Sequence, residues 1–413
     1  MARTARGGWT LGLAAAIGLL ALGCGGGSAT APSAEARILG PIDPATAGTL
    51  SVHLVQDGLP GEVTQIQLVL ASLELRIAGS DDLWRPVPLA ATGSSATGAG
   101  LPLDLLASSS ASPLVLASDT PWPPGSYDAM RFTLADGSFF ATTAGGFAED
   151  LETPAPFIRS MGLPGTVNVA TDQATDLWIT FSVADLIRPD PDNEGSYLFL
   201  PGPVRGYDRA QTGAIQGTLT APDPANPVNP VPVAGATVTA QLLLPEGAPS
   251  GALPFRTAVT AADGSYTLDL LPRNYTWCAV SQAMVGASSY DAGVSPGLAL
   301  GSPPFDQRVA NFALTLAPEA STLSGQVGTP ASPGQTQWVQ VNQSVTLGGL
   351  PWVFAMRYLP VAVDGRFSVP LLPPGTYSAV LGTFSQDPVQ GLVEQTTSTA
   401  WFDLEGSMAI TFP

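Results

Sequence analysis

The sequence has 413 residues, of which 45% are hydrophobic and 12% are charged. Its 33 acidic residues outnumber its 15 basic residues, so the formal net charge is −18, and lysine is absent. Such a charge excludes nucleic acid as a partner, because phosphate binding requires clustered basic side chains. The length predicts about two to three domains, and the hydrophobic content is sufficient for packed cores.

The amino-terminal residues have the pattern of a secretory signal. Arg3 and Arg6 precede an apolar run from Leu11 to Leu22. This run is shorter than the roughly twenty residues that a membrane-spanning helix needs. We therefore expect residues 1–23 to be a signal peptide that is removed during export.

The residues that follow predict a lipid anchor and a tether. Ala21-Leu22-Gly23-Cys24 resembles the lipobox of bacterial lipoproteins, which implies that Cys24 is lipidated. Gly25 at the next position, rather than aspartate, is typical of outer-membrane lipoproteins. Residues 24–47 are rich in Gly, Ser, Ala, Thr and Pro and predict a flexible tether. We expect a cell-envelope protein whose link to the membrane is the lipid.

The two cysteines leave no disulfide within a mature chain. Once Cys24 carries lipid, only Cys278 remains. Cys278 lies in a predicted strand, Tyr275 to Ser281, where a cysteine is more often a small buried hydrophobic residue than a reactive thiol.

The first half of the chain is a series of alternating apolar and polar segments, which is the pattern of strands with one solvent-facing side. The strand candidates are Leu50 to Val55, Val63 to Ile77, Ala129 to Leu134, Leu177 to Val183 and Tyr197 to Leu200. A short helix is compatible with Leu101 to Ala107. With 40 prolines and 45 glycines, long helices would be interrupted repeatedly. The predicted fold class is all-β, with three consecutive sandwich-like domains at 48–210, 212–318 and 319–413.

The second half contains an internal repeat. Gly213–Leu219 is similar to Ser321–Val327, and Asp263–Leu268 is similar to Asp364–Val369. Each copy then continues into Leu-Leu-Pro. The spacing of the copies predicts two similar domains rather than a solenoid, whose repeat would be much shorter.

Local residue types predict three details of these domains. Each Asp-Gly pair, at Asp263 and Asp364, is a hairpin signal, because glycine readily adopts positive φ. Trp277 and Tyr377 follow turns and are expected to point into the cores. The proline-rich stretch Ala221–Pro230 is incompatible with a central strand and predicts a surface loop.

Two resemblances follow from these motifs. Ile215, Gly217, Val233–Val238, Asp263–Tyr266 and Leu271-Pro272 resemble the carboxypeptidase regulatory-like, transthyretin-like β-sandwich, in the carbohydrate-binding-like fold. This resemblance covers about Gly213 to Leu316 and implies a sandwich without catalysis of its own. The region from about Ala320 to Pro413 is its diverged second copy, which lacks the Ala-Gly-Ala-Thr-Val segment.

The first domain resembles the lipoprotein-associated domain-of-unknown-function family 4382. The resemblance rests on Gly48–Val52, the strand pair around Leu68 to Leu75, Leu103–Leu106, Pro124–Tyr127 and the closing Tyr197–Arg205. It implies a β domain and no known activity.

Catalytic and metal-binding patterns are mostly missing from the sequence. His53 is the single histidine, so neither a Ser-His-Asp triad nor a multi-histidine metal site can form, and we expect His53 to be a half-buried strand residue. Asp190, Asp192 and Glu194 offer oxygen ligands for calcium, although a solvated turn is the preferred interpretation. No cofactor is expected.

Exposed aromatic residues are the remaining candidates for ligand contact, since tryptophan faces stack on sugar rings. Trp338, Trp352 and Trp401 lie in the last domain, and core packing is the alternative role for each. We expect a non-catalytic cell-envelope lipoprotein that acts by binding or scaffolding at the membrane surface, with a polysaccharide or an envelope protein as its partner. A carbohydrate-binding surface lipoprotein is the main alternative, and an envelope hydrolase is a distant one. Domains of this kind in adhesins form Lys–Asn crosslinks, which a chain without lysine cannot form.

Overall fold

The computed structural model describes residues 40–57, 63–90, 100–135, 140–143, 148–152, 157–183, 187–193, 196–199, 204–223, 226–242, 254–282, 284–285, 288–301, 307–317, 320–332, 335–387 and 391–413. Cys24, the signal segment and most of the tether lie outside these residues. The described part of the chain is all-β, as predicted, and its strands from residue 48 onward belong to one compact unit, Leu39–Pro413.

The first sandwich consists of thirteen strands: β1 (Gly48–Asp57), β2 (Val63–Ile77), β3 (Trp84–Pro86), β4 (Leu101–Asp104), β5 (Leu114–Trp122), β6 (Gly125–Leu134), β7 (Phe140–Thr143), β8 (Ala148–Glu152), β9 (Phe157–Val169), β10 (Ala174–Ser182), β11 (Ile187–Pro189), β12 (Tyr197–Phe199) and β13 (Val204–Asp208). Its smaller sheet has the order β13-β10-β1-β5, and β1 and β10 are parallel. The larger sheet has the order β11-β12-β8-β7-β2-β6-β9, with β3 and β4 also paired to β2.

Each strand predicted in the first half is present. In β2, the buried residues change from even to odd numbers, because a register shift between Leu70 and Ser72 resets the alternation. The predicted short helix is smaller than expected. The segment begins as β4, and a 3₁₀ turn covers only Leu105–Ala107, where the Asp104 carboxylate accepts a hydrogen bond from the backbone N–H of Leu106.

The second sandwich consists of β14 (Thr212–Asp223), β15 (Asn226–Pro232), β16 (Thr237–Leu242), β17 (Arg256–Val259), β18 (Ser265–Pro272), β19 (Thr276–Gln282), β20 (Met284–Val285), β21 (Ser288–Ser289), β22 (Gly293–Val294), β23 (Leu298–Ala299), β24 (Gln307–Val309) and β25 (Phe312–Ala313). One sheet has the order β15-β14-β18, with β24 and β25 parallel to β14. The other has the order β17-β16-β19-β22, and β23 also pairs with β19.

The third sandwich consists of β26 (Ser321–Val327), β27 (Gln335–Leu347), β28 (Leu350–Pro360), β29 (Arg366–Leu372), β30 (Gly375–Asp387), β31 (Gly391–Leu404) and β32 (Met408–Phe412). Its sheets have the orders β29-β26-β32 and β28-β27-β30-β31. They repeat the arrangement of the second sandwich, including a final strand that runs parallel to the first. Each sandwich encloses its own hydrophobic core.

An aromatic residue closes one corner of every sandwich. The Trp277 indole N–H donates to the Pro272 carbonyl at 3.0 Å, and the Tyr377 hydroxyl donates to the Pro373 carbonyl at 2.6 Å. Both side chains are fully buried, as the sequence predicted. Tyr127 makes the equivalent bond at 3.0 Å to the carbonyl four residues before it.

The Asp-Gly pairs form tight turns but not hairpins within one sheet. Gly264 and Gly365 have φ of 77° and 83°, and the preceding aspartates each accept a backbone hydrogen bond at 2.9 Å. However, the turn at Gly264 joins β17 to β18, which lie in different sheets, and the turn at Gly365 joins β28 to β29 in the same way. The hairpin prediction was therefore wrong, because the turn sequence reports local backbone geometry and not the sheet to which each flank belongs.

The described residues of the proline-rich stretch Ala221–Pro230 lie in strands, contrary to the expected surface loop. β14 continues to Asp223, and β15 pairs back on it as an edge strand. Prolines are tolerated there because an edge strand needs hydrogen bonds on one side only.

The Leu-Leu-Pro motif contains a β-bulge that turns one leucine outward. Leu270 and Leu371 have φ of 56° and 58°, and the register shifts beside both. In β18 the bulge places Leu271 in the core of the second sandwich, whereas Leu270 packs against the first sandwich. Positive φ is costly for leucine, so the burial of Leu270 in that contact offsets part of the strain.

Candidate functional site

The first and second sandwiches meet at a buried contact that we call the Arg256 joint. Along β1, the even-numbered residues from Leu50 to Leu54 face the core, so Val55 and Asp57 face outward. This outward face is covered by the second sandwich. The apolar part of the joint consists of Val55, Trp178, Tyr207, Leu270 and Phe255.

Charged residues complete the Arg256 joint. Arg256, the first residue of β17, forms ion pairs with Asp57 of the first sandwich and with Asp269 of β18. The second pair has an Nη2–Oδ1 distance of 2.5 Å. The side chains of Arg256 and Asp57 are 5% and 2% exposed, so both charges are withdrawn from water. Asp57 also accepts a hydrogen bond from the backbone N–H of Thr257.

A second arginine supports the same joint from the first sandwich. Arg205 Nη1 donates to the carbonyls of Pro254 and Phe255, both at 2.7 Å. Its guanidinium lies 4.2 Å from the Phe255 ring centroid, within cation–π distance. Tyr207, two residues along β13, shares a 2.8 Å hydrogen bond with the Thr180 hydroxyl.

Burial changes the proton affinities in the joint. Desolvation of Asp57 raises the pKa of its carboxyl to about 7, against the lowering effect of Arg256. Desolvation likewise raises the pKa of Tyr207 to about 12. Asp269 adds to the rise at Asp57, because two carboxylates face one guanidinium.

The second and third sandwiches meet at an apolar contact, the Gln241 joint. Its buried residues are Cys278, Val280, Phe354 and Met356, with Ala292, Val294, Val345, Leu347 and Trp352 packed around them. Among the described residues, Gln241 forms hydrogen bonds across it. The Gln241 amide donates to the Ala355 carbonyl at 2.8 Å and accepts from the Ala355 N–H at 2.9 Å.

The third and first sandwiches also touch. Trp338, Tyr358 and Phe384 form a buried aromatic cluster on the third sandwich, and Leu198 of the first sandwich packs against it. A Cβ on Gly382 would lie 2.1 Å from the Trp338 ring, so a larger residue there would displace the tryptophan.

The three tryptophans proposed for carbohydrate contact have different environments. Trp338 is 3% exposed and packs in the cluster just described, so its faces are covered. Trp352 is half-buried at the edge of the Gln241 joint, and its indole N–H donates to the Leu347 carbonyl. Trp401 is 60% exposed on β31. The three do not form one exposed row.

The acidic loop considered as a calcium site is a turn whose carboxylates accept hydrogen bonds from the protein itself. Asp190 is buried and accepts hydrogen bonds from the Asp192 N–H and the Asn193 amide, both at 2.8 Å. Asp192 accepts from the backbone N–H of Val363 in the third sandwich. Glu194 lies outside the described residues. Among the described residues, no three His, Cys, Asp or Glu side chains are arranged to hold one metal ion.

The remaining candidate residues are structural. Cys278 is completely buried, and desolvation raises the pKa of its thiol to about 11, which disfavours the reactive thiolate. His53 is half-buried in β1, as expected; its ring packs against Trp178 at a tilt of 35°, and Nε2 lies 3.8 Å from the Asp176 carboxylate. In the described part of the chain, no helix is long and apolar enough to span a bilayer.

The residues of the Arg256 joint were not predicted from the sequence. Asp57 and Arg256 stand at the ends of strands, where charged residues are ordinary, and their pairing is between distant parts of the chain. A weak signal was present at Asp269, which is a charge within an otherwise apolar run, Leu268 to Leu271.

Comparisons with known proteins do not assign a family. No family model matches the chain, and no curated protein matches it. The solved structures that align with it include the Bacillus anthracis TIE protein, at 10% identity over 89% of this chain and 50% of that chain, with a TM-score of 0.19. This chain therefore spans about half the length of that protein.

Two further alignments cover about half of this chain. The shaft pilin SpaA from Lactobacillus rhamnosus GG is 10% identical over 48% of this chain and 96% of its own, with a TM-score of 0.19. A DUF3823 family protein from Parabacteroides merdae is 10% identical over 48% of this chain and 100% of its own, with a TM-score of 0.18. Scores of this size carry no argument about function, and the family resemblances drawn from the sequence stay predictions.

Proposed function

We propose that the protein is a non-catalytic scaffolding or binding protein of the bacterial cell envelope, anchored by lipid at Cys24, in which three sandwiches act as one rigid body. The observation that carries this proposal is the set of buried contacts between the sandwiches. Each pair shares an apolar cluster, and two of the contacts also contain buried ion pairs or hydrogen bonds.

Rigidity is the property that suits these contacts to a scaffold. Domains that move independently meet through small polar surfaces, whereas the buried side chains of the Arg256 and Gln241 joints would be left without partners if the sandwiches separated. Separation would take Asp57 away from its ion-pair partner Arg256 and would expose an apolar face around Phe354. A fixed spacing between surfaces lets one anchored chain hold a partner at a constant orientation.

The anchor can be tested with the two cysteines of the chain. Cells that express the full chain are grown with radiolabelled palmitate, alongside Cys24→Ser and the matched control Cys278→Ser. We expect label in the wild type and in Cys278→Ser, and none in Cys24→Ser. Equal labelling of Cys24→Ser would contradict the lipid anchor.

The scaffolding role can be tested by crosslinking in intact cells. Amine-directed reagents have no lysine to attack, so a photo-crosslinking amino acid is placed at the exposed position of Trp401. We expect one or a few envelope proteins to be captured there and not at the buried position of Trp338. The same recovery from both positions would indicate random encounters.

A carbohydrate-binding role is the second candidate, and the exposure of Trp401 favours it. A tryptophan with 60% of its surface in water on an edge strand offers a ring face for stacking on a sugar. Asp403 lies two residues along the strand and is also exposed, and it accepts a 2.7 Å hydrogen bond from Thr376. Carboxylate and hydroxyl groups of this kind bond sugar hydroxyls.

Affinity electrophoresis through gels containing polysaccharides tests this candidate. Retardation that is lost in Trp401→Ala but kept in Trp84→Ala would support it. Trp84 is the matched control because one face of its ring is already covered. The guanidinium of Arg131 lies over that face, 4.5 Å from the ring centroid. Free migration of the wild type on every polymer would exclude the candidate for those polymers.

A further inference from the structure

The Arg256 joint has an arrangement of charges that a simple structural contact does not need. Two carboxylates, from Asp57 and Asp269, converge on the single guanidinium of Arg256. Arg205 also acts on Asp57, but its Nη1 is bonded to two backbone carbonyls. Replacing such buried ion pairs by apolar residues often leaves the stability of a protein unchanged or increases it. Stability alone therefore does not explain why these three charged residues lie in the joint.

The charged groups of the joint come from both sandwiches. Asp57 belongs to the first sandwich, whereas Arg256, Asp269 and the Thr257 N–H belong to the second. When the sandwiches are together, Asp57 is 2% exposed and near a second carboxylate. When they are apart, water surrounds it. The environment of Asp57 therefore differs between the joined and the separated state. A carboxyl group whose proton affinity differs between two states makes the equilibrium between those states depend on pH.

We propose that the Arg256 joint is a pH-sensitive coupling, in which Asp57 takes up a proton and the first and second sandwiches hold together more tightly as the surroundings become acidic. A protonated Asp57 leaves Arg256 and Asp269 as a neutral pair and removes the cost of burying an extra negative charge. The proposal does not depend on what the protein binds.

The direction follows from the raised pKa of Asp57. The carboxyl has an ordinary pKa of 3.8 when separated from the joint and of about 7 within it. A group whose pKa is raised in the joined state stabilises that state fully below its ordinary pKa, and this contribution is lost as pH rises through the raised value. The window lies between about pH 4 and pH 7. Three of the groups facing Asp57 keep their charge in this window, since Arg205 and Arg256 stay protonated and the pKa of Tyr207 is raised to about 12.

Hydrogen exchange of the full chain measures the coupling. Mass spectrometry follows peptides that contain β17, whose Thr257 N–H bonds Asp57, and control peptides from β29 in the third sandwich. After correction for intrinsic exchange, we expect protection of β17 to be about tenfold or more higher at about pH 5 than at about pH 8, because one unit of pKa shift is tenfold in population. The β29 peptides should change much less.

Two variants connect the effect to the proposed carboxyl. Asp57→Asn is neutral at every pH and should make the protection of β17 independent of pH. If that variant does not fold, Asp269→Asn serves instead, since removal of the neighbouring carboxylate should reduce the dependence. Titration of the Asp57 carboxyl carbon by nuclear magnetic resonance gives the protonation directly. A midpoint below about pH 5, or equal protection of β17 at both pH values in the wild type, would overturn the proposal.

Discussion

The second sandwich meets its two neighbours through contacts of opposite chemistry. The Arg256 joint brings together three charged side chains, of which Arg256 and Asp57 are buried, whereas the Gln241 joint between the second and third sandwiches has an apolar cluster and the amide of Gln241 bonded across it. A charged joint must retain each partner, because an unpaired buried charge is expensive, whereas an apolar joint tolerates the loss of one contact. The first is therefore sensitive to single substitutions and pH, and the second to packing.

The largest expected effect comes from removing the central cation. Arg256→Met leaves Asp57 buried without its ion-pair partner and should lower the free energy of unfolding by about 3–5 kcal/mol at alkaline pH. Urea unfolding measures it. The matched control is Arg366→Met, because Arg366 is 76% exposed and its pair with Asp364 is solvated; we expect less than about 1 kcal/mol there. Equal effects would remove the distinction between buried and exposed pairs.

In the Gln241 joint, Gln241 is the residue that corresponds to Arg256, because its side chain bonds across the contact. Gln241→Leu removes the two buried hydrogen bonds that the Gln241 amide makes with the N–H and the carbonyl of Ala355. The free energy of unfolding should fall by about 2 kcal/mol. Gln326→Leu is the control, since its side-chain bond to the Asp364 carbonyl is exposed, and its cost should be smaller. A Gln241 variant as stable as the wild type would mean that packing alone holds this joint.

The pH dependence of these two costs should differ. In Arg256→Met, Asp57 becomes protonated in acid, so the cost of the substitution should be smaller at about pH 5 than at about pH 8. The amide of Gln241 does not titrate, so the cost of Gln241→Leu should change little over the same interval. Urea titrations at both values measure the difference. Parallel changes in both variants would indicate a general effect of the net charge.

The smallest expected change is in the reactivity of Cys278. Its thiol is buried in the Gln241 joint and its pKa is raised to about 11, so the native protein should react with iodoacetamide very slowly near neutral pH. Gln241→Leu should accelerate the reaction, whereas Arg256→Met should leave it nearly unchanged. Mass spectrometry of the peptide that contains Cys278 measures the rate. Rapid labelling of the wild type would contradict the closed joint.

The strands were predictable from the sequence because alternation is a local property. β2 was found with the same bounds, Val63–Ile77, and the repeat in the second half predicted similar residues in similar places. Trp277 and Tyr377 were placed in the cores for the same reason. Local patterns also explain the failures. An Asp-Gly pair specifies a turn, but which sheet receives the next strand depends on packing across the whole sandwich.

The contacts between sandwiches could not be predicted from the sequence, for a different reason. Alternation along β1 distinguishes two faces of the strand, but it does not say that a second domain covers the face that carries Val55 and Asp57. Leu270 was likewise unpredictable, because its positive φ results from a bulge that turns it away from the core. The aromatic cluster around Trp338 was also unpredictable, because it includes a contact with Leu198 of the first sandwich.

The central claim is that the three sandwiches behave as one body through these joints. Urea unfolding of the full chain at about pH 5, followed both by tryptophan fluorescence and by circular dichroism, tests it most directly. We expect one transition with coincident midpoints for the two signals, as for a single cooperative unit. Two or more separate transitions in the wild type would contradict the account, because they would show that the sandwiches unfold independently.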